Sequence, residues 1–552
     1  MIPVLKAPPA ERLRHFRAWL AGALLVGLSA CGGSSNPAGD SSPSDPAVVH
    51  IQSGAVRGVL ADGVYSFKGI PYAKPPVGSL RWVAPQPPDS WAGERLADSF
   101  GPHCAQVGLT TLDFSGSEDC LFINVWSPQR NTTDLLPVFV YLHGGGNLTG
   151  SGDFDLGRMA SLGPAIMVTL NYRLGPFGFL AHPAFAAENS HHSAGNYAIL
   201  DQIAALKWLQ QNIRSFGGDP ARVLLSGSSA GAHDTSVLVA SPLARGLFSA
   251  AGLISHTWTV LRPSIVANTA RVAARFLRCD AANDLAACLR SRTAAEVATL
   301  PGNGSANLSW DPSCLNVNAG LGCQYNVASV DGYVLPDTPR HIVRAGSHNA
   351  VPAIIGSTSL EMTTSALAFG LQNVINDETT YQGALRAEFP TALADATYRL
   401  YPSSSYGSPL LAYIVAEGDI RHHCPARNML DTLSAVQRQP VWEYLWDHTW
   451  SSGPNRELGA GHGTDLPFIF QTYSPGSLTP LEVSLSLVMS TAWHRFAASH
   501  NPESSGMPWP PYGAANPLFK AWETPTEVRS GWRHHECDVL EAVGFDWEWF
   551  GY

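Results

Sequence analysis

Short apolar runs separated by turn residues recur along the chain. Leu121–Trp126, Val138–Leu142, Ile166–Asn171 and Val223–Ser226 are rich in Val, Ile and Leu and bounded by Gly, Pro, Asn, Asp or Arg. Runs of that length and composition read as strands buried on both faces. Asn196–Ile213 instead repeats its apolar residues at the helical period, with Ile199, Ile203, Leu206 and Leu209 on one side, and Leu481–His500 is helical as well. Pro352–Gly356 and Val441–Trp446 resume the strand pattern, and Val48–Leu60 alternates as an opening hairpin. Strands alternating with helices imply an α/β fold with a large, mostly parallel central sheet flanked by helices. Trp258–Arg344 has few strand signals and reads as an insertion, about 257–345, that roofs whatever site the sheet carries.

Composition sharpens this picture. With 45% hydrophobic and only 14% charged residues over 552 positions, the chain has ample material for one large core and little of the signature of disorder. Its formal charge of −10, which becomes more acidic once the basic N-terminus is set aside, argues against nucleic acid as a partner. Lys6, Arg12, Arg14 and Arg17 precede an apolar run from Ala18 to Leu28. That run is too short to span a bilayer and reads as a secretory signal over residues 1–30. Leu28-Ser29-Ala30-Cys31 resembles a bacterial lipobox, with Cys31 as the lipidated first residue, and residues 31–47 follow as a Gly/Ser/Pro-rich tether before the main domain over 48–552. The expectation is an exported protein, periplasmic or attached to the outer membrane, whose membrane contact is confined to the lipid; cleavage that leaves a free thiol is the alternative.

Apart from Cys31, eight of the nine cysteines remain, an even number suited to disulfides in an exported chain. Pairing is open at this stage, since eight cysteines allow 105 arrangements. No Cys-x-x-Cys or His pair stands at zinc spacing beside them, so no metal is expected. Asn131, Asn147, Asn303 and Asn307 begin Asn-x-Ser/Thr triplets and read as chance in a bacterial chain.

The chemistry is concentrated in two stretches. Gly227-Ser228-Ser229-Ala230-Gly231 directly follows a strand and matches G-x-S-x-G, in which the serine is held on a tight turn so that its hydroxyl stands clear of the sheet. Ser229 is the candidate nucleophile. His143-Gly144-Gly145-Gly146 follows the strand Val138–Leu142, and glycines there allow backbone N–H groups to approach a substrate oxygen. A serine hydroxyl also needs a base and an acid that orients it, and in this fold the chain order is Ser, acid, His.

Phe216–Gly231 resembles the active-site serine signature of the type-B carboxylesterase (cholinesterase-like) family, and Glu118–Val125 resembles its second signature. The resemblance extends from about Val48 to the C-terminus. It implies an α/β-hydrolase fold and serine carboxylesterase activity on a small-molecule ester through an acyl-enzyme, with no cofactor. It also implies His462 as the base, Glu361 as the acid, and Gly145, Gly146 and Ala230 as oxyanion donors. Asp331 and Asp337 are the substitutes for the acid if Glu361 does not serve. For the cysteines it suggests Cys104 with Cys120, Cys279 with Cys288 and Cys424 with Cys537, leaving Cys314 with Cys323.

The chain departs from the family pattern in places. Leu360 stands where relatives often have Asp, Ser228 where they have Glu, and Asn147 where an aromatic residue follows the glycines. The segment between Cys104 and Cys120 is short and lacks Trp, which makes cationic choline esters poor candidates. Trp258, Trp310 and Tyr325 are candidates for a substrate pocket or for core packing. Two rival readings stay open: an esterase specialised for aromatic acid esters, polyesters or acylglycerols, and a non-catalytic adhesion module.

Overall fold

The computed structural model describes residues 45–108, 113–128, 134–301 and 323–550. The signal, the tether up to residue 44, Cys31, Trp310 and Cys314 lie outside the described residues. Among these residues, eleven strands form one sheet. In chain order they are β1 (Val59–Ala61), β2 (Val64–Pro71), β3 (Phe122–Ser127), β4 (Leu136–Leu142), β5 (Ile166–Leu170), β6 (Gly218–Ser228), β7 (Ala250–Ile254), β8 (Ala353–Thr358), β9 (Val441–Trp446), β10 (Leu518–Trp522) and β11 (Glu527–Ser530). Their spatial order is β11-β10-β9-β8-β7-β6-β4-β5-β3-β2-β1. Every pairing from β5 across to β10 is parallel, while β1, β2, β3 and β11 add antiparallel edges. The architecture is the α/β-hydrolase fold expected from the sequence.

Side-chain alternation explains why both faces are covered. Along β4, Val138, Val140 and Leu142 enter one core cluster while Phe139 and Tyr141 enter the other. β6 divides in the same way, Val223 and Leu225 against Leu224. Helices α1 (Tyr197–Asn212), α2 (Ala230–Ala240) and α3 (Cys424–Val436) cover the first face through Ile203, Leu206, Leu238, Met429 and Leu433. α4 (Pro480–Ser499) covers the second through Leu485, Met489, Trp493 and Phe496, and it begins at a Thr479–Glu482 capping box.

The opening hairpin is present but shorter than its pattern suggested: Val48–Ile51 pairs with Gly54–Arg57 in a separate small sheet, and Val59–Ala61 turns away to edge the main sheet. The break falls at Gly58, where a Cβ would meet the Ser66 carbonyl oxygen at 2.5 Å. In the insertion, Trp258 is buried in the main core and Tyr325 in a satellite core with Trp82, Phe177 and Phe185, so both are packing residues. The described part of the segment sends Asn326 and Val327 to the cavity at Ser229.

Cys104–Cys120, Cys279–Cys288 and Cys424–Cys537 are joined. The last spans 113 residues and fastens α3 to the C-terminal helix His534–Ala542. By loop-closure entropy a link of that span stabilises by roughly 4–5 kcal/mol. Replacing both Cys424 and Cys537 by Ser is therefore expected to lower the urea midpoint markedly, whereas the same change at Cys279 and Cys288, with a separation of 9 residues, lowers it less. Equal midpoints for the two double variants would contradict this.

Candidate active site

The site begins at a turn that few residues can make. β6 ends at Ser228 and α2 begins at Ala230, which leaves Ser229 between them with φ 53° and ψ −122°. That region is sparsely populated for residues with a side chain and costs about 1–3 kcal/mol. Its own N–H donates to the Ile254 carbonyl oxygen at 2.7 Å, holding the turn against β7. A Cβ on Gly227 would lie 2.2 Å from the backbone of Gly231, and one on Gly231 would lie 2.2 Å from the Leu142 carbonyl oxygen. Both glycines of the motif are thus required by close backbone approach.

The glycine loop after β4 packs against the same turn. A Cβ on Gly144 would sit 3.1 Å from that of Ser229, and Gly145 and Gly146 have φ of 108° and 65°. His143 is fixed at the base of this loop. Its ring stacks on Tyr172 at 4.4 Å, its Nδ1–H donates to the Gly144 carbonyl, and burial pushes its pKa down to about 4. Asn147 closes the loop. Fully buried, it donates through Nδ2 to Asp234 Oδ1 on α2 at 2.9 Å and to the Asn326 carbonyl at 3.1 Å, while Asn326 Nδ2 returns a bond to the Gly146 carbonyl. Asp234 also accepts from Gln202 on α1 at 2.6 Å. This buried polar network ties the glycine loop, α2 and the insertion together, and it leaves the Asn147 triplet inaccessible to glycosylation.

Opposite Ser229 stand His462 and Glu361. His462 Nδ1–H donates to Glu361 Oε2 at 2.5 Å, with the carboxylate fully buried and the imidazole 23% exposed. Glu361 Oε1 accepts the Thr358 N–H at 2.7 Å, so the end of β8 aims the carboxylate. Burial opposes the Glu361 charge, but His422, His462 and His423 together with the His462 hydrogen bond hold the carboxyl well below its ordinary value. For His462, burial likewise works against charge, and the Glu361 carboxylate with its hydrogen bond raises the pKa overall. Asp331 and Asp337 are elsewhere: Asp331 caps the turn of Tyr333, Val334 and Leu335, and Asp337 is 58% exposed beside His341.

Ser229, His462 and Glu361 all line one cavity of about 190 Å³, together with Gly146 and Ala230. Larger surface depressions of about 530 and 570 Å³ contain none of these residues. Two cavity histidines, His256 and His422, had no motif to announce them. His422 lies on a wide π-type turn at Asp419–His423, a distortion that often marks functional sites but leaves no trace in hydrophobic periodicity. Asp465, three residues after His462, is buried with its Oδ2 accepting from Tyr444 at 2.9 Å, and burial followed by the Glu361 charge pushes its pKa up to about 6. Glu361, His422 and His462 offer metal-ligand atoms within 4.8 Å of one another. Both Glu361 oxygens are already hydrogen-bonded, so a cation there competes directly with the Glu361–His462 pair.

Comparison with known proteins agrees with the geometry. The model of the carboxylesterase family matches residues 45–540. The chain is 35% identical to the fumonisin B1 esterase of Sphingopyxis macrogoltabida, with 83% of each chain covered. It is 32% identical to the para-nitrobenzyl esterase of Bacillus subtilis (strain 168), covering 84% of this chain and 92% of that one. Among solved structures, a PNB esterase superposes with a TM-score of 0.75 at 31% identity, covering 90% of this chain and 100% of the other.

The opposed environments of the two neighbouring histidines can be read directly by NMR. His462 is expected to titrate above the usual 6.5 and His422 near 4, and Glu361→Gln should bring His462 down by removing the charge that raises it. A His462 that titrates unchanged in Glu361→Gln would refute the assigned cause.

Proposed function

The chain belongs to the carboxylesterase family and is a serine carboxylesterase of the type-B group, and from that premise we propose that its reaction runs through Ser229, His462 and Glu361. The observation that carries this assignment is the 2.5 Å Glu361–His462 hydrogen bond in the cavity that also holds Ser229. His462, fixed by Glu361 with its proton on Nδ1, takes the Ser229 proton at Nε2 as the hydroxyl attacks the ester carbonyl. The backbone N–H groups of Gly145, Gly146 and Ala230 receive the developing oxyanion, and the imidazolium is stabilised by the carboxylate and gives its proton to the departing alcohol. Water then attacks the acyl-Ser229 ester through the same groups. Because the base must be neutral to act, activity is lost as the pH falls through the raised pKa of His462.

The names of the relatives point to small organic esters as substrates, and a non-catalytic role is disfavoured by an intact and mutually bonded acid–base pair. For the N-terminus, the proposal remains a signal over 1–30, a lipidated Cys31 and a tether to residue 47 that places the enzyme at the cell envelope. The support is the lipobox-like Leu28-Ser29-Ala30-Cys31.

Two measurements test these assignments. Ser229→Ala is expected to reduce turnover of 4-nitrophenyl butyrate by a factor on the order of 10⁴ or more without altering the folded protein, and a variant that keeps wild-type turnover would remove Ser229 from the mechanism. Mass spectrometry of protein extracted from membranes of a bacterial host should find a diacylglyceryl mass on an N-terminal Cys31; an unmodified Cys31 there would end the lipoprotein proposal.

A further inference from the structure

The cavity beside Ser229 has an unusual wall. His233, His256, His422 and His462 follow one another along it, with successive ring centroids 5.7, 5.6 and 5.3 Å apart. Asn326 and Ser365 add further polar surface, while Met362 and Val327 are the larger apolar contributors.

The hydrogen bonds of the two middle rings assign their protons. The Thr257 N–H donates to His256 Nδ1 at 2.9 Å, which places the His256 proton on Nε2. His422 Nδ1 faces the Ser255 carbonyl oxygen at 2.9 Å and must donate to it, which leaves its Nε2 as a bare acceptor. Both rings stay neutral near pH 7. Burial, reinforced by the neighbouring imidazoles, holds His256 well below its ordinary value, and burial holds His422 near 4. No described residue bonds to either Nε2, and both rings line the cavity, so the pair offers it a donor and an acceptor.

We propose that this pair receives a hydroxyl group of the substrate, with His256 Nε2–H donating to the hydroxyl oxygen and the hydroxyl proton donated to His422 Nε2. An oxygen bonded to both nitrogens needs them roughly 5 Å apart, a separation that rings with centroids 5.6 Å apart allow. The substrate class is thus an ester with a free hydroxyl near the scissile bond, such as an ester of a hydroxy acid or of a polyol. A carboxylate, which only accepts, would face the bare His422 Nε2 and fits less well. A methyl group in place of the hydroxyl would desolvate both nitrogens and leave them unpaired, the situation in which polar sites discriminate most strongly. This inference rests on the placement of the reaction at Ser229.

The test uses two matched pairs in which OH is replaced by CH₃, followed by pH-stat titration. Ethyl 3-hydroxybutyrate is compared with ethyl 3-methylbutyrate for the acyl side, and 2-hydroxyethyl acetate with propyl acetate for the alcohol side. Each kcat/KM is divided by the alkaline hydrolysis rate of the same ester. In at least one pair the hydroxyl ester is expected to be preferred about tenfold or more, and the preference should fall to within about threefold in His256→Leu and in His422→Leu. The ratio is taken within each variant, so a partial loss of folded protein cancels; where a Leu variant gives no folded protein, the Phe variant replaces it. No preference in either pair, no turnover of any of the four esters, or a preference that survives both variants would overturn the inference. Persistent turnover in Ser229→Ala would instead overturn the site on which it rests.

Discussion

A Cβ on Gly231 would stand 2.2 Å from the Leu142 carbonyl oxygen, and one on Gly144 would stand 2.9 Å from that of Ser228. The ends of β4 and β6, the start of α2 and the glycine loop therefore share one volume into which no further carbon fits. This contact holds the Ser229 backbone at a positive φ and packs the glycine loop against its turn. The parallel sheet makes it possible, since β4 and β6 are neighbours and both end at the same edge. The buried α2, all of whose residues are in the interior, keeps the turn from relaxing.

Around that turn, partners are supplied by distant segments. β8 brings Glu361, the loop after β9 brings His462, and α2 brings Asp234 to the side chain of Asn147. The network of Asn147, Asp234 and Gln202 does for the glycine loop what Thr358 does for Glu361: it holds a group in place by hydrogen bonds made in the interior. Burial strengthens these bonds and holds the pKa values of His256 and His422 below their ordinary value. Their tautomers then become a stable pattern that a substrate can match.

Much of this was legible in the chain because its signals are local. Val441–Trp446 is a strand with the bounds its pattern suggested, and Asn196–Ile213 differs from the observed helix by one residue at each end. The turn at Ser229 and the glycine loop were also legible, since their constraint is steric and glycine records it in sequence. Sequence alone thereby determined the fold class and the place of the strained turn that carries Ser229.

What the tertiary structure decided depends on groups far apart in the chain. Glu361 stood against Asp331 and Asp337 until its oxygen was found against a histidine 101 residues away. Trp258 and Tyr325, ambiguous between pocket and core, became core because burial depends on what the fold packs over a side chain. His256 and His422 carried no motif, and their proton positions follow from single carbonyl and amide contacts made only on folding. Periodicity records which face of an element turns inward; it cannot record which partner waits there.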